Sequence, residues 1–338
     1  GQVFGGMDSS FPFINTAGTV AFSGTVPGVG DTIWSGFPGL MDVNLQDGEV
    51  VPGVGTINVN TPFWGVHLDN FGVIGFGSID GHEAIMHHDG TTLSTIARVG
   101  AAGPLGVYTD LESGTGAASD DGYIFVGRVG GSGATDSAIF RRLGGGATTV
   151  VAREGDHPYG FWAGVEFDDL FTYPTVSLDD SGRAFVRARV RGLGVNNGNN
   201  MGLWSVEPDG TFNFIMRTGQ WIDLGDGGGL RQVEAIILNS EPGTNSGRGR
   251  GVNTRGDAVV RVSFTDDTQA IIVAQLPPAC PGDVNEDGIV DAQDLAMVLA
   301  QWDSTGPVGT GGDANLDGLV DAQDLAVVLA TWNHVCEG

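Results

Sequence analysis

Two acidic segments near the end of the chain carry oxygen-bearing side chains at the same spacing. In each, these side chains fall at positions 1, 3, 5, 9 and 12 of a twelve-residue loop, with Gly at position 6. Ca²⁺ takes about six to eight oxygens, and a Gly lets one tight loop gather them. The spacing predicts two calcium sites, with a backbone carbonyl from position 7. The predicted ligands are Asp283, Asn285, Asp287, Ile289, Asp291 and Asp294 in the first loop, and Asp313, Asn315, Asp317, Leu319, Asp321 and Asp324 in the second.

A short helix is predicted to leave each loop. Position 12 is Asp rather than the Glu usual in an EF-hand, and prolines and glycines before each loop exclude an entering helix. Apolar residues recur at i, i+3, i+4 and i+7 after each loop, which predicts one apolar face per helix. We expect the two helices to pack on each other about a pseudo-twofold axis. The apolar positions are Leu295, Val298, Leu299 and Trp302, and then Leu325, Val328, Leu329 and Trp332.

With these loops, residues 280–336 resemble a type I dockerin, the duplicated calcium module that docks to cohesins. The resemblance implies that the predicted loop residues bind two calcium ions. It also implies that the two residues before position 12 contact the partner. That partner is a cohesin-like module or a neighbouring copy of the chain. The residues implied to bind it are Ala292, Gln293, Ala322 and Gln323.

The two cysteines of the chain, Cys280 and Cys336, bracket this module. If the repeats pack about a twofold axis, the two ends of the module lie close together. We therefore predict a disulfide, as expected in an oxidising, calcium-rich extracellular setting. The alternative is two free thiols.

The first 276 residues repeat as well. Five segments place Asn, Asp or Ser three residues before a Gly, between stretches of alternating apolar residues, which predicts strand, tight turn and strand. A third strand follows each hairpin, and a fourth follows in all but the last copy. The turn segments are Asn15–Gly18, Asp69–Gly72, Ser119–Gly122, Asp179–Gly182 and Asn253–Gly256.

Four short strands per unit of roughly 50–75 residues are typical of a propeller blade. We predict an all-β body over residues 1–276, a five-bladed β-propeller whose last blade is completed by Gln2–Phe4 at the N-terminus. A linker over 277–281 and the α-helical calcium module over 282–338 follow. A β-sandwich or β-solenoid is the alternative for the body. The body also resembles secreted, planctomycete-like bacterial repeat proteins with an Asn-x-x-Gly-x-x-Ala-Phe signature, a resemblance that implies no catalytic residues.

Composition excludes several classes of function. The net charge is −26, which disfavours binding to nucleic acid and to anionic membranes. All 15 basic residues are Arg, so a lysine Schiff base and a phosphate-binding loop lysine are excluded. No apolar run is long enough to span a membrane. Because the chain begins at Gly1 without Met, we expect a processed, secreted protein.

Catalytic residues are not predicted. His87 and His88 are adjacent on a predicted strand, so they point to opposite faces and cannot chelate one metal together. Paired acids such as Asp168-Asp169 and Asp179-Asp180 suit glycoside hydrolysis, but they fall at turns of the repeat, where Asp closes the turn. Trp64, Trp162 and Trp221 lie near Gly-rich loops, where they suit stacking on sugar rings, and Trp34 and Trp204 are predicted in the core.

Two functions fit these observations. The first is a secreted, non-enzymatic structural or surface protein whose calcium-loaded tail binds a partner or neighbouring copies, in the latter case as an open fibre. The alternative is a glycan-binding or glycan-hydrolysing propeller, tethered through its dockerin-like tail to a polysaccharide-degrading complex. Both place the protein outside the cell or on its surface.

Overall fold

A computed structural model provides the coordinates of the chain, and the structure describes most of it. The described residues are 6–7, 13–15, 17–37, 39–59, 66–69, 72–119, 122–130, 135–172, 174–225, 227–238, 251–252, 257–274, 282–285, 289–305, 311–314 and 319–333.

Within these ranges the body is built from strands and the C-terminal segment holds two helices, α1 (Ala292–Ala300) and α2 (Ala322–Ala330). The strands are β1 (Gly6–Met7), β2 (Phe13–Ile14), β3 (Val20–Val26), β4 (Gly30–Phe37), β5 (Leu40–Gln46), β6 (Val50–Val51), β7 (Gly55–Val59), β8 (Val66–Leu68), β9 (Val73–Ile79), β10 (His82–His88), β11 (Leu93–Arg98), β12 (Ala102–Gly103), β13 (Gly106–Ser119), β14 (Gly122–Val129), β15 (Ser137–Leu143), β16 (Thr149–Arg153), β17 (Val165–Phe167), β18 (Thr175–Leu178), β19 (Ala184–Gly192), β20 (Met201–Val206), β21 (Phe212–Arg217), β22 (Trp221–Asp223), β23 (Leu230–Leu238), β24 (Ala258–Phe264) and β25 (Gln269–Ala274).

The strands form five antiparallel sheets that follow one another along the chain. Sheet 1 holds β1 to β5, sheet 2 β6 to β11, sheet 3 β12 to β16, sheet 4 β17 to β21 and sheet 5 β22 to β25. Each sheet is a meander of neighbouring strands, and its first strand is divided or bulged in sheets 1 to 4. The predicted fold is confirmed: the body is a five-bladed β-propeller.

The repeated turns lie where the sequence places them. Asn15 Oδ1 accepts a hydrogen bond from the N–H of Thr19 at 2.9 Å, and Asp179 Oδ1 accepts one from the N–H of Arg183 at 2.8 Å. Gly18 and Gly182 have φ values of 81° and 78°, a conformation that favours glycine. The fifth turn, Asn253–Gly256, lies outside the described residues.

The third strand of four sheets also carries a repeated irregularity. The pairing of this strand with the fourth strand shifts register after Ile33, Ile85, Ile139 and Leu203. The residues that follow these four occupy one equivalent position of the repeat; they are Trp34, Met86, Phe140 and Trp204. The shifts therefore align the four sheets residue by residue, and His87, Arg141 and Ser205 occupy one equivalent position.

Apolar residues fill the space between successive sheets. One cluster joins sheets 1 and 2, a second joins sheets 2 and 3, and a third joins sheets 3 and 4. Trp34 and Trp204 are buried, as predicted for core positions. Residues Gln2–Phe4, predicted to complete the last blade, lie outside the described residues.

By its contacts the chain divides into two compact units. The first comprises Gly1–Gly251 and Val259–Ile272, and the second comprises Val252–Ala258 and Val273–Gly338. Helices α1 and α2 belong to the second unit. Among the described residues, neither helix nor any other reaches the length and hydropathy that a membrane span needs.

Candidate functional site

The first acidic loop closes on the carboxylate of Asp294, which is fully buried. Asp294 Oδ1 accepts hydrogen bonds from the N–H groups of Val284 and Asn285 at 2.9 and 3.1 Å, and Oδ2 accepts one from Asp291 at 2.8 Å. Asp291 in turn caps α1 by accepting from the N–H of Gln293 at 2.7 Å. One side chain at position 12 thus ties the start of the loop to the start of the helix.

The second loop repeats this geometry. Asp324 is fully buried, and its Oδ2 accepts from the N–H of Asp321 at 2.7 Å. Asp321 accepts from the N–H of Gln323 at 2.7 Å and caps α2. The backbone angles of Asp291 and Asp321 agree within a few degrees. The two copies therefore fold as the same unit.

The two copies bind each other through backbone as well as side chains. The N–H of Asp303, after α1, donates to the carbonyl of Val320 at 2.9 Å, and the N–H of Asn333, after α2, donates to the carbonyl of Val290 at 2.9 Å. Asp303 and Asn333 share a left-handed backbone, with φ of 60° and 61°. Each helix end thus pairs with the opposite loop, as a twofold relation requires. The shared core contains Val290, Val298, Ala314, Val320 and Val328.

The predicted apolar faces are wrong in part. Val298 and Val328 are buried, but Leu299 and Leu329 are each 54% exposed, and Trp302 and Trp332 are 41% and 38% exposed. Each helix has only nine residues, and its packed side is completed by Val290 or Val320 from the loop rather than by a longer helical stripe. An apolar pair at the end of each helix is therefore left at the surface of the unit.

The predicted calcium ligands are only partly described. Asp287, Asn315 and Asp317 lie outside the described residues, and in the remainder no three His, Cys, Asp or Glu side chains are arranged to hold a metal ion. The donors that are described are the carboxylates of Asp283, Asp291, Asp294, Asp313, Asp321 and Asp324, the amide of Asn285 and the position-7 residues Ile289 and Leu319. This donor set is made of oxygen, which suits Ca²⁺.

The residues implied to bind a partner are all exposed. Ala292 and Gln293 begin α1, and Ala322 and Gln323 begin α2. The two pairs are equivalent in the twofold relation of the module. Cys280 and Cys336 lie outside the described residues.

In the body, three carboxyl groups from neighbouring sheets come together. Glu83 is the second residue of β10 in sheet 2. Its Oε2 accepts a hydrogen bond from the N–H of Leu111, in sheet 3, at 3.4 Å. Partial burial raises the pKa of Glu83, and the carboxylates of Asp110 and Glu112 raise it further. The hydrogen bond from the N–H of Leu111 lowers this pKa and offsets part of the rise. Glu83 therefore keeps its proton to higher pH than an ordinary glutamate, which is the property of a general acid.

A second acidic group is neutralised by arginine. Arg191 Nη1 lies 3.0 Å from Glu154 Oε1 and 3.4 Å from Asp168 Oδ1, and its Nε lies 2.8 Å from Glu166 Oε1. The carboxylate of Glu154 is buried and its other oxygen accepts from Ser137 Oγ at 2.7 Å. These ion pairs join sheets 3 and 4 and have the character of a structural network.

The other side chains considered for chemistry have structural partners. His87 Nε2 lies 3.3 Å from Asp69 Oδ1, whereas His88 Nδ1 lies 3.2 Å from Asn44 Nδ2. Asp179 and Asp169 accept from backbone N–H groups of their own turns, those of Ser181 and Phe171, whereas Asp168 pairs with Arg191. Trp221 is 58% exposed, and Trp64 lies outside the described residues.

Sequence reasoning missed the Glu83 cluster. Glu83 and Asp110 stand on different sheets, and neither belongs to a repeated motif.

Comparison with protein families identifies both units. The chain belongs to a family of unknown function, DUF7453, whose model matches residues 1–280. The model of the dockerin type I domain matches residues 281–333. The dockerin-like resemblance is therefore confirmed, whereas the resemblance to planctomycete-like repeat proteins is not. A search of curated proteins found no match.

Several solved structures are similar to the chain at low identity. They include a subtype N11 neuraminidase-like protein of a flat-faced bat isolate (12% identity, 80% of this chain and 86% of that chain, TM-score 0.32). Another is a Penicillium chrysogenum α-L-arabinanase (10% identity, 78% and 91%, TM-score 0.31). A third is a Fusarium graminearum α-L-arabinofuranosidase (11% identity, 78% and 80%, TM-score 0.31). At such values the likeness supplies no residue roles and no substrate.

These findings correct the predicted function. We predicted a non-enzymatic structural protein that assembles through its tail, and this prediction is wrong. The tail is a dockerin type I domain, which favours our alternative of a propeller tethered through its dockerin. Type I dockerin domains bind calcium and cohesin partners and are typical of extracellular proteins, so the coarser predictions of calcium, of a cohesin partner and of an extracellular setting stand.

Proposed function

We propose that this DUF7453 chain is a secreted protein whose body binds and hydrolyses a polysaccharide and whose dockerin attaches it to a cohesin-bearing scaffold. The observation that carries the proposal is the dockerin type I domain directly after the propeller body. A docking module attaches a protein to a scaffold that also carries other proteins. An extended polymer is a suitable substrate for proteins held together in this way, because their local concentration along it is high.

The tail, in this proposal, holds two calcium ions, one in each loop, through the predicted ligands from Asp283 to Asp294 and from Asp313 to Asp324. A disulfide between Cys280 and Cys336 closes the module. Carboxylates that must leave water to form these loops repel one another without a cation, so calcium binding and folding of the module are coupled. The exposed pairs Ala292-Gln293 and Ala322-Gln323 contact the cohesin.

The Glu83 cluster supplies the chemistry of hydrolysis. Glu83 donates its proton to the glycosidic oxygen that leaves, because partial burial and its two acidic neighbours raise its pKa above the ordinary value of a glutamate. Asp110 and Glu112 lie beside Glu83, and one of them activates water or stabilises the positive charge that develops on the sugar. Residues on two neighbouring sheets thus divide the acid and base roles.

The test is product release from a panel of neutral and acidic polysaccharides by the full chain in millimolar calcium. Glu83→Gln removes the acid but keeps the shape, and we expect a loss of about 100-fold or more in turnover. Glu166→Gln is the matched control, since that carboxylate pairs with Arg191 and is 43% exposed. Equal activity of the Glu83→Gln variant and the wild type would refute the assignment of the acid.

Attachment is tested separately, by capture of the chain on immobilised type I cohesins with calcium and with EGTA. We expect capture in calcium, release in EGTA, and weakened capture after a combined change of Gln293 and Gln323 to Ala. If the chain hydrolyses a polysaccharide but binds no cohesin, the proposed activity stands and the proposed attachment is refuted.

A further inference from the structure

Arg187 lies in the middle of β19, the second strand of sheet 4. It pairs with Thr175 of β18 on one side and with Leu203 of β20 on the other. Its neighbours Val186 and Ala188 belong to the apolar cluster between sheets 3 and 4. Because side chains alternate along a strand, Arg187 points to the opposite face, with Phe185, which is fully buried.

The guanidinium of Arg187 has an incomplete set of partners among the described residues. Nη1 donates to Thr175 Oγ1 at 2.8 Å. Nε is buried and has no hydrogen-bond partner. Burial lowers the pKa of Arg187, and no carboxylate in the described part of the chain acts to raise it. An arginine still carries its charge at neutral pH, so this is a half-buried positive charge without a counter-charge.

Other described arginines at comparable depth have counter-charges, although Arg141 Nε and Arg183 Nη1 also lack a hydrogen-bond partner. Arg183 lies 2.8 Å from a carboxylate oxygen of Glu207, and Arg191 pairs with three carboxylates. Arg141 donates to four backbone carbonyls. Burial lowers the pKa of Arg141, and the carboxylates of Glu207, Asp179 and Asp209 offset part of this effect. The chain has 41 acidic residues against 15 arginines, yet among the described residues no carboxylate pairs with Arg187.

A buried charge without a partner is costly to the fold, and proteins neutralise such a charge with an ion pair or a bound ion. The fork of an arginine side chain matches a carboxylate, which it binds through two parallel N–H groups. Thr175 strengthens this fit, because its hydroxyl oxygen accepts from Arg187 and its own proton remains free to donate.

We propose that Arg187 and Thr175 form a binding site for a small carboxylate-type anion. The carboxylate comes from an acidic sugar or from a free organic anion, and both sources present the same two oxygens to the guanidinium. The site does not depend on the proposed hydrolysis: it requires only that the partly buried charge of Arg187 be neutralised. It lies on sheet 4, whereas the Glu83 cluster joins sheets 2 and 3.

The test is thermal unfolding of the full chain at constant ionic strength, chloride and calcium, with increasing galacturonate, acetate or neutral galactose. An anion that binds the folded state raises the unfolding midpoint by about 2 °C or more once its concentration is well above Kd. We expect this shift with galacturonate and acetate and none with galactose. A larger shift with galacturonate assigns the site to an acidic sugar, and equal shifts assign it to a free anion.

Arg187→Met keeps the apolar stem and removes the charge. We expect this variant to lose the anion-dependent shift while unfolding, without added anion, at the same midpoint as the wild type or higher. If it does not fold, Arg187→Lys keeps the charge, loses the fork and should show a weakened shift. Arg142→Met is the control, because Arg142 is only partly buried and donates to backbone carbonyls of its own turn.

Two results would overturn the proposal. One is a wild-type midpoint that does not respond to either anion. The other is an unchanged response in Arg187→Met, or in Arg187→Lys if only that variant folds.

Discussion

The N–H of Asn333 donates to the carbonyl of Val290 at 2.9 Å, so the residue just beyond the second helix binds the end of the first loop. Asp303 and Val320 make the equivalent bond in the opposite direction along the chain. Neither copy of the loop and helix completes its own backbone pairing. The dockerin therefore folds as one unit, and damage to one loop is expected to weaken the other.

Asp294→Ala is predicted to weaken the whole module rather than one loop. It leaves three backbone N–H groups without an acceptor, each worth about 1–3 kcal/mol when buried, and removes a predicted calcium ligand. Calorimetric titration should show the loss of one calcium ion and weaker binding of the other. Gln293→Ala is the control, since its side chain is exposed. Full-affinity binding at the second loop of Asp294→Ala would contradict the coupling.

Asp179→Asn is predicted to change how stability depends on pH. Burial raises the pKa of Asp179 to about 6, partly offset by hydrogen bonds from Ser181 and Arg183. A raised pKa means that the stability contributed by the protonated form is complete below about pH 4 and is lost as the pH rises through 6. The size of this effect is up to about 3 kcal/mol.

The variant is a mild change, because Asn15 and Asn253 occupy the same turn position in other repeats. Urea unfolding at pH 4.5 and 7.5 should show that the wild type loses stability relative to Asp179→Asn as the pH rises. Parallel pH dependence in the two proteins would show that Asp179 is not a buried acid in solution.

Arg141→Met is predicted to destabilise the body by about 3 kcal/mol or more. The guanidinium of Arg141 crosses from sheet 3 to sheet 4 and donates to the carbonyls of Gly182, Val206, Glu207 and Pro208. Its removal leaves buried acceptors without donors. Arg142 is one residue away, is only partly buried and bonds within its own turn. Arg142→Met should therefore change the free energy of unfolding by less than about 0.5 kcal/mol. Similar losses in the two variants would mean that the bonds across the sheets contribute little.

The disulfide between Cys280 and Cys336 remains a prediction, and it is tested by mass. The chain, denatured without reductant and treated with an alkylating agent, should gain no label, and after reduction it should gain two. Replacement of both cysteines by Ser should lower the stability of the module by about 2–5 kcal/mol. Two labelled thiols before reduction would establish the alternative of free cysteines.

The sequence was most informative where structure is local. The turns at Asn15 and Asp179 and the strands around them follow from side chains that bond to their own backbone. Leu299 and Trp302 were misplaced because the helix is short and the loop, rather than the helix, completes the core. The grouping of Glu83 with Asp110 and the isolation of Arg187 depend on which strands of neighbouring sheets face each other. No local pattern carries that information.

The central claim is that the body cleaves a polysaccharide, and the most direct measurement is mass spectrometry of oligosaccharides from several polysaccharides incubated with the chain in ¹⁸O water. The account predicts shorter products that carry one ¹⁸O each, formed by the wild type and by Glu166→Gln but not by Glu83→Gln. Their formation should fall as the pH rises through the raised pKa of Glu83, because the acid must be protonated. Absence of labelled products from every polysaccharide, with a folded and calcium-loaded chain, would contradict it.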